Sequence, residues 1–191
     1  MDNFKAHETA VIDPGCIIGE GTQIWHFSHI MTGSKLGMNC NIGQNVVVSP
    51  GVILGNGVKV QINVSIYTGV TCDDDVFLGP SCVFTNVINP RSFISRKDEF
   101  KATHVGKGAT IGANATIVCG NNIGNYALVG AGAVVTRPVP PFALVTGNPA
   151  RQTGWVSKYG HKLDFDYNGR ACCPESGEWY RFSDGVVISE G

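Results

Sequence analysis

Three groups of polar side chains in the 191-residue sequence could take part in chemistry. In the first group, His26 and His29 are three residues apart, and an imidazole can act as a general base or bind a metal ion. A metal site would need a third converging His, and the spacing of His104 does not match, so we expect no bound metal. Trp25 and Phe27 flank His26 and could offer a surface for ring stacking. The alternative is that these His side chains are packed at an edge of the fold.

The second group surrounds Asn86, within the segment Phe84-Thr85-Asn86-Val87-Ile88-Asn89-Pro90-Arg91. A carboxamide can both donate and accept hydrogen bonds, so Asn86 could position a polar ligand, or it could simply cap a loop. The third group consists of Gln44, Gln61 and Asn63. Asn63 could instead be a turn residue with a positive φ. Gln44 and Gln61 would be solvated unless a neighbouring subunit covers them.

These side chains are positioned by a six-residue repeat that runs from Ala10 to Val87. Every sixth residue from Ile12 to Phe84 is apolar, and 11 of these 13 residues are Ile, Leu or Val. Small or β-branched residues precede them by two positions, and Gly or Asn occupies nine of the twelve positions three residues after them. A solenoid with one short strand and one turn per unit has this period, whereas a helix or a hairpin sheet does not. The sequence therefore predicts an all-β parallel β-helix with about eighteen residues per three-sided coil.

A charged stretch at about residues 88–103 interrupts the repeat, which then continues from Val105 to Val135. Phe84 and Val105 are 21 residues apart, which fits one step of six plus about fifteen inserted residues. Long loops inside compact domains are usually functional or disordered. The stretch contains three large apolar residues, namely Phe93, Ile94 and Phe100. We therefore expect an ordered arm that reaches a neighbouring subunit.

The eighteen-residue coil also predicts which side chains lie above one another. Tyr67 should lie under Thr85, and Thr68 under Asn86, which gives a polar patch with an aromatic edge below the arm. Beyond the repeat, we expect a β-helix domain over residues 1–150 and a C-terminal extension over residues 151–191. The extension should contain a short helix around 151–159 and a hairpin turn at 183–185.

Composition limits the classes of function. The net charge of −1 and the lack of a Lys/Arg run make nucleic acid an unexpected partner. Neither a long apolar run nor a charged-then-apolar N-terminal segment is present, so we expect no membrane association, no signal peptide and a cytoplasmic location. Most of the seven Cys should be buried free thiols. The Cys172-Cys173 pair lacks the second pair that a structural zinc site needs.

Several motifs resemble known families. The segment Val145-Thr146-Gly147-Asn148-Pro149-Ala150, together with the coils, resembles the hexapeptide-repeat acyltransferases, whose coils are left-handed. Four segments are similar to the UDP-2-acetamido-3-amino-2,3-dideoxyglucuronate N-acetyltransferases of the WbpD/WlbB type. These segments are residues 24–30, 43–46, 84–91 and 173–178. The fold that the resemblance implies is a left-handed parallel β-helix with one long inserted loop and a short C-terminal extension.

The second resemblance implies acetyl transfer from acetyl-CoA to the 3-amino group of that UDP-sugar, for bacterial surface polysaccharide. It also implies a homotrimer with active sites between subunits, in which Asn86 binds the acceptor amine. Arg91 is our candidate for binding the sugar carboxylate or the phosphates. The full set of expected sugar-nucleotide contacts is His26, Gln44, Gln61, Asn63, Tyr67, Thr85 and Arg91. The expected acetyl-CoA contacts are Gly112, Gly130, Ala131, Gly132 and, at the phosphates, Arg151.

Many hexapeptide acetyltransferases use a His base in a middle coil, but this chain has no His between Ile30 and Thr103. We therefore expect a neutral amine to attack the thioester directly. By analogy with an α-amine, whose pKa is roughly 8, a fraction of the amino-sugar nitrogen is neutral without the help of a strong base. Asn86 would orient the amine, a backbone N–H would stabilise the oxyanion, and solvent would take the proton. Two alternatives stay open: a different amino-sugar or hydroxyl acceptor, such as serine, and a non-catalytic β-helix used for assembly.

Overall fold

The computed structural model describes residues 3–190. Residues 1 and 2 of the predicted β-helix domain and residue 191 of the predicted C-terminal extension lie outside this range. The described chain consists of short strands and turns, with one 3-10 helix at Lys97–Glu99 and no α-helix. This architecture confirms the predicted all-β parallel β-helix with one inserted loop and a C-terminal extension.

Strands of two to five residues build the coils and the C-terminal extension. Fourteen precede the insertion: β1 (Lys5–Ala6), β2 (Val11–Ile12), β3 (Ile17–Ile18), β4 (Gln23–Ile24), β5 (His29–Ile30), β6 (Lys35–Leu36), β7 (Asn41–Ile42), β8 (Val47–Val48), β9 (Ile53–Leu54), β10 (Lys59–Val60), β11 (Ser65–Ile66), β12 (Val70–Cys72), β13 (Phe77–Leu78) and β14 (Val83–Phe84). Ten follow it: β15 (Thr103–Val105), β16 (Thr110–Ile111), β17 (Thr116–Ile117), β18 (Leu128–Val129), β19 (Val134–Val135), β20 (Ala143–Thr146), β21 (Arg151–Trp155), β22 (Arg170–Cys172), β23 (Trp179–Ser183) and β24 (Val186–Ser189).

Every third coil strand pairs in parallel, which produces three flat faces. Sheet 1 has nine strands in the order β1-β4-β7-β10-β13-β16-β18-β20-β21. Sheet 2 has seven, in the order β19-β17-β14-β11-β8-β5-β2, and sheet 3 has five, in the order β15-β12-β9-β6-β3. The second residue of the two-residue coil strands after β3 points inward, so the interior is a column of aliphatic side chains that includes Ile30, Ile42 and Ile66, each 0% exposed.

The strand register confirms the predicted coil length and the size of the insertion. Ser65 pairs with Val83, eighteen residues later. Val83 in turn pairs with Thr116, which is 33 residues later and so fifteen more than one coil. The inserted residues therefore leave the solenoid and return to it without changing which residues face the core.

The predicted turn column also has the expected conformation. All twelve of its residues from Gly15 to Ser81 have a positive φ, including Phe27 at 59° and Asp75 at 61°. The non-glycine residues of this column adopt the sterically unfavourable left-handed conformation because the coil must turn at each of these positions.

Two corners of the coil matter for the site, and we name them by one residue each. The Gln44 edge joins sheet 1 to sheet 2 and comprises residues 25–28, 43–46, 61–64, 79–82, 112–115 and 130–133. The Asn86 edge joins sheet 2 to sheet 3 and comprises residues 13–16, 31–34, 49–52, 67–69, 85–102 and 118–121. Sheet 2 is the face between these two edges.

The arm spans residues 85–102 on the Asn86 edge and contains local structure. Arg91 and Ile94 form an isolated antiparallel bridge, and the Arg96 guanidinium donates to both carboxylate oxygens of Glu99 at 2.8 and 3.0 Å. Phe93 is 82% exposed. The arm therefore contains hydrogen-bonded local structure, and it presents an aromatic ring to its surroundings.

The C-terminal extension differs from prediction in one element. Residues 151–155 form β21, which pairs antiparallel with β20, instead of the predicted short helix. These residues form a strand because β20 is the last parallel strand of sheet 1 and would otherwise leave its N–H and C=O groups unpaired. The predicted hairpin is confirmed: β23 and β24 pair across Asp184 and Gly185, whose φ values are 52° and 77°.

Candidate functional site

A groove of about 340 Å³ crosses three coils of the Gln44 edge. Its lining residues are Trp25, His26, Asn41, Gly43, Gln44, Val60, Gln61 and Ile62. The groove exists because Gly43 has no side chain between Trp25 on the coil before and Gln61 on the coil after. A Cβ on Gly43 would lie 2.9 Å from the carbonyl carbon of Gln61, so the coil packing requires a glycine there.

Aromatic rings form one wall of this groove. The Trp25 and His26 rings are nearly parallel, with an interplanar angle of 8° and centroids 6.4 Å apart. His26 also stacks on His7 with centroids 3.5 Å apart. The indole Nε1–H of Trp25 donates to Asn41 Oδ1 at 2.7 Å, which fixes the plane of the indole. His26 is thus both packed against another ring and available to the groove.

Amide side chains form the opposite wall. The side chains of Gln44 and Gln61 make no hydrogen bond to any residue between 3 and 190, so both amides are available to a ligand. Asn63 is placed differently. It has a φ of 60°, and its Oδ1 accepts a hydrogen bond from Asn45 Nδ2 at 3.2 Å. Asn63 therefore serves as a turn residue whose amide oxygen is already used within the edge.

The small residues predicted to contact acetyl-CoA lie further along the same edge. A Cβ on Gly112 would be 2.5 Å from the Ala131 nitrogen, and one on Gly130 would be 2.9 Å from Thr146 Cγ2. Coil packing therefore accounts for both glycines. Gly132 differs because a Cβ there would have nothing within 4 Å, and its neighbour Ala131 is exposed. This corner is open to a ligand.

On the Asn86 edge, the side chains of Thr85 and Asn86 have different roles. The Thr85 hydroxyl accepts a hydrogen bond from the Cys119 N–H at 3.0 Å, so it holds two coils together. The Asn86 carboxamide makes no hydrogen bond within the described chain, although the residue is only partly exposed. The register of Ser65 with Val83 places Tyr67 at the equivalent position one coil before Thr85, as predicted.

Two arginines flank a separate cavity of about 260 Å³ at the end of the solenoid. Arg151 was predicted here, whereas Arg137 was missed because it lies in the Pro-rich segment that ends the repeat. Arg91 is exposed on the arm, where its Nη1 donates to the Pro90 carbonyl at 2.9 Å. Sequence reasoning also missed Asn41, which occupies an ordinary outward strand position in β7 and is marked by no motif.

The remaining imidazoles pair with carboxylates. His29 Nε2 lies 2.9 Å from Asp13 Oδ1, and this hydrogen bond lowers the pKa of Asp13 below its usual value. His104 lies 3.2 Å from Asp73 on sheet 3, and its Nδ1 is 3.1 Å from the Thr71 hydroxyl. Between residues 3 and 190, no group of three or more His, Cys, Asp or Glu side chains is arranged to hold a metal ion.

Apart from Arg151, which flanks the separate cavity, the predicted site residues of one chain form two separate groups. The Gln44 edge carries His26, Gln44, Gln61, Asn63 and the small residues. The Asn86 edge carries Tyr67, Thr85, Asn86 and Arg91. The width of sheet 2 separates the groups, so neither edge alone carries the whole constellation.

The described part of the chain has no helix that is long and apolar enough to cross a membrane.

Comparisons with known proteins agree with this architecture. The bacterial transferase hexapeptide (six repeats) model matches residues 3–50, and the hexapeptide repeat of succinyl-transferase matches residues 35–68 and 103–137. The chain is 45% identical over 188 residues to dTDP-3-amino-3,6-dideoxy-alpha-D-galactopyranose 3-N-acetyltransferase of Aneurinibacillus thermoaerophilus, with 96% of each chain covered.

Solved structures show the same fold. A hexapeptide-repeat acetyltransferase of Vibrio cholerae, complexed with acetyl coenzyme A, is 27% identical with a TM-score of 0.51, over 65% of this chain and 72% of that one. A mutant of GDP-perosamine N-acetyl transferase of Caulobacter crescentus has a TM-score of 0.52 at 23% identity, over 78% of this chain and 55% of that one. The matched repeats are those of left-handed β-helices, and the chain belongs to the hexapeptide-repeat acetyltransferase family.

Proposed function

We propose that this protein transfers the acetyl group of acetyl-CoA to the 3-amino group of a nucleotide-linked amino sugar. The observation that carries the proposal is the free carboxamide of Asn86 beside an ordered arm, on a chain that is 45% identical over nearly its whole length to a nucleotide-amino-sugar 3-N-acetyltransferase. Acetyl-CoA as the donor is supported by the Vibrio cholerae relative, which holds it in a complex.

The two groups of site residues meet if three copies pack through sheet 2. The outward residues of this sheet are Val11, His29, Val47, Ser65, Val83, Thr116 and Val134. Apart from His29, no ionisable side chain occurs in that set, whereas sheet 1 carries Lys5 and Lys59, and sheet 3 carries Lys35, at equivalent positions. Sheet 2 is therefore the face that is least costly to desolvate.

A three-fold axis along sheet 2 would place the Gln44 edge of one subunit beside the Asn86 edge of the next. Each of the three clefts would then contain both groups of residues. The exposed Phe93 of the arm would gain a contact on the neighbouring subunit, which accounts for an aromatic ring that is 82% exposed in one chain. The proposed assembly is thus a homotrimer with its active sites between subunits.

The chemistry follows from the groups available. A neutral amine attacks the thioester carbonyl, the N–C bond forms, and the C–S bond breaks to release CoA. The Asn86 carboxamide oxygen accepts a hydrogen bond from the amine and directs its lone pair at the carbonyl carbon. A backbone N–H of the Gln44 edge stabilises the oxyanion, and the proton passes to solvent. The open corner at Gly132 receives the pantetheine arm, and Arg151 contacts the phosphates of CoA.

Two acceptors are specific candidates. The motif resemblance favours UDP-2-acetamido-3-amino-2,3-dideoxyglucuronate, whose carboxylate suits the exposed guanidinium of Arg91. The relative from Aneurinibacillus thermoaerophilus favours a dTDP-3-amino-3,6-dideoxyhexose, which has no carboxylate. Both candidates place the amine at C3, so the proposed reaction is the same for both.

A thiol-detection assay of CoA release tests the proposal with both sugars and with serine as a hydroxyl acceptor. We expect turnover with one nucleotide 3-amino sugar and an acetamide product by mass spectrometry. Turnover only with serine would replace the proposed acceptor. Failure to bind acetyl-CoA at all would favour a non-catalytic assembly role.

A further inference from the structure

We infer that the groove on the Gln44 edge binds the nucleobase of the nucleotide sugar, and that it selects a pyrimidine with an imide edge, namely uracil or thymine. This inference rests on the proposed function, because it assigns one part of that substrate to one part of the site. Three properties of the groove support it: the charge of its lining, its aromatic wall and its unpaired amides.

The lining is nearly free of charge. Among the described residues that line the groove, none is Lys, Arg, Asp or Glu. A diphosphate or a sugar carboxylate placed here would lose its hydration without gaining a counter-charge, which is costly. The part of the substrate that fits this groove is therefore its neutral part, and the charged parts belong near the arginines elsewhere.

The aromatic wall suits a flat ring. Trp25 and His26 present nearly parallel planes, and the hydrogen bond from Trp25 to Asn41 at 2.7 Å holds the indole in place. Stacking of a base on an aromatic side chain contributes about 1–3 kcal/mol. The stack of His26 on His7 fixes the second ring before a ligand arrives. The wall is thus ordered in advance, which lowers the entropic cost of binding.

The amides supply specificity. Gln44 follows Gly43 on one coil, and Gln61 stacks on Gly43 from the next coil, at an axial spacing of about 4.8 Å. Each primary amide offers donors and an acceptor. The imide edge of uracil or thymine presents an acceptor, a donor and an acceptor in a row. One glutamine oxygen can accept from the imide N–H while an amide N–H donates to a flanking carbonyl. Guanine presents two adjacent donors instead, which leaves glutamine donors unpaired.

Calorimetric titration of the intact protein with UDP, dTDP, GDP and acetyl-CoA tests the inference. We expect UDP or dTDP to bind at least tenfold more tightly than GDP. The double substitution Gln44→Ala/Gln61→Ala should weaken UDP or dTDP binding about tenfold and abolish the preference over GDP. Trp25→Ala should weaken the binding of UDP, dTDP and GDP alike. Acetyl-CoA binding should not change, and Lys35→Ala, an exposed truncation on sheet 3, should behave as wild type.

Several results would overturn the inference. They are wild-type protein that binds none of the nucleotides, a double variant that binds UDP and dTDP normally, and a double variant that loses acetyl-CoA binding, since the groove would then hold the adenine of CoA. Because nucleotide binding needs no turnover, the proposed function is judged separately. Groove-dependent binding of UDP or dTDP without acetyl transfer would refute the proposed function and support the nucleobase subsite. Acetyl transfer by the wild type, together with groove variants whose nucleotide binding is unchanged, would support the function and refute the subsite.

Discussion

The backbone N–H of Lys101 donates to the carbonyl oxygen of Asn86 at 2.9 Å, so the arm leaves the solenoid and returns to it at one point. The hydrogen bond fixes the main chain of Asn86 while leaving its carboxamide free. Thr103 continues the closure, because its N–H donates to the Gly69 carbonyl at 3.1 Å on the coil before. A side chain held on such a clamped backbone is suited to orienting a small reacting group.

The first prediction concerns that carboxamide. Asn86→Ala should lower kcat about 100-fold, because a misplaced amine loses its alignment with the thioester. The KM for acetyl-CoA should stay nearly unchanged, since the donor is bound at the other edge. Steady-state kinetics with Ser92→Ala, an exposed truncation in the same arm, provides the control. A kcat equal to that of wild type would remove Asn86 from the chemistry.

Arg91 is the second test. Arg91→Ala should raise the KM for the amino sugar about tenfold or more, since a hydrogen bond to a charged group contributes about 1.5–3 kcal/mol. Arg91→Lys should restore only part of the loss, because an ammonium cannot form the bidentate contact. Kinetics of Lys97→Ala, which removes another exposed cation of the arm, should match wild type. An unaltered KM in Arg91→Ala would place the sugar elsewhere.

The third prediction separates the two ends of acetyl-CoA. Arg151→Ala and Arg137→Ala should each raise the KM for acetyl-CoA, and the loss should shrink at high salt because the phosphate contacts are screened. Acetyl-pantetheine, which lacks the nucleotide, should be used equally well by wild type and variants. Arg181→Ala removes an exposed cation from the C-terminal hairpin and is the control. If either substitution raised the KM for acetyl-pantetheine, that arginine would not act through the phosphates of CoA.

The sequence predicts the scaffold well because its interior is periodic. Each coil must bury an aliphatic residue and turn with a positive φ, so even Phe27 and Ser81 adopt the conformation that their position in the repeat predicts. The helix predicted around Arg151 is wrong for the opposite reason: an open sheet edge decides the conformation there, and no local pattern records it.

The candidate site is only partly predictable for a similar reason. Asn86 and Gln44 stand out because they depart from the repeat. Asn41 does not, since outward strand positions accept most residues, and its contact with Trp25 depends on the stacking of two coils. The separation of the two groups of residues becomes evident only when each edge is traced along the solenoid.

Assembly is the subject of the fourth prediction. Val83 on sheet 2 and Ile53 on sheet 3 are both outward strand residues and both 45% exposed. Val83→Lys should dissociate the proposed trimer, because it would bury charges around the axis, whereas Ile53→Lys should leave it intact. Sedimentation velocity measures both, and activity should fall with dissociation. A monomeric Ile53→Lys variant, or a trimeric and active Val83→Lys variant, would place the interface on another face.

The last prediction concerns the stability of the C-terminal extension, in which Glu178 and its hydrogen-bond partners all lie. Glu178 accepts hydrogen bonds from the Lys158 ammonium and the Tyr180 hydroxyl, each at 2.5 Å, and from the Ser189 hydroxyl at 2.6 Å. Burial opposes ionisation of this carboxyl, but the three donors outweigh burial and lower its pKa to about 2. Because the pKa is lower in the folded state, the ionised carboxylate stabilises the fold above the unfolded pKa of roughly 4.3.

That stabilisation should be lost as the pH falls from about 4.3 towards 2. Glu178→Gln should therefore have a lower midpoint of urea unfolding than wild type at pH 7, and the difference should disappear near pH 2. Glu175→Gln is the control, since its carboxylate is 59% exposed against 16% for Glu178 and an exposed pair with His161 contributes little. A difference between wild type and Glu178→Gln that is constant from pH 7 to pH 2 would mean that shape, and not charge, explains the effect of Glu178.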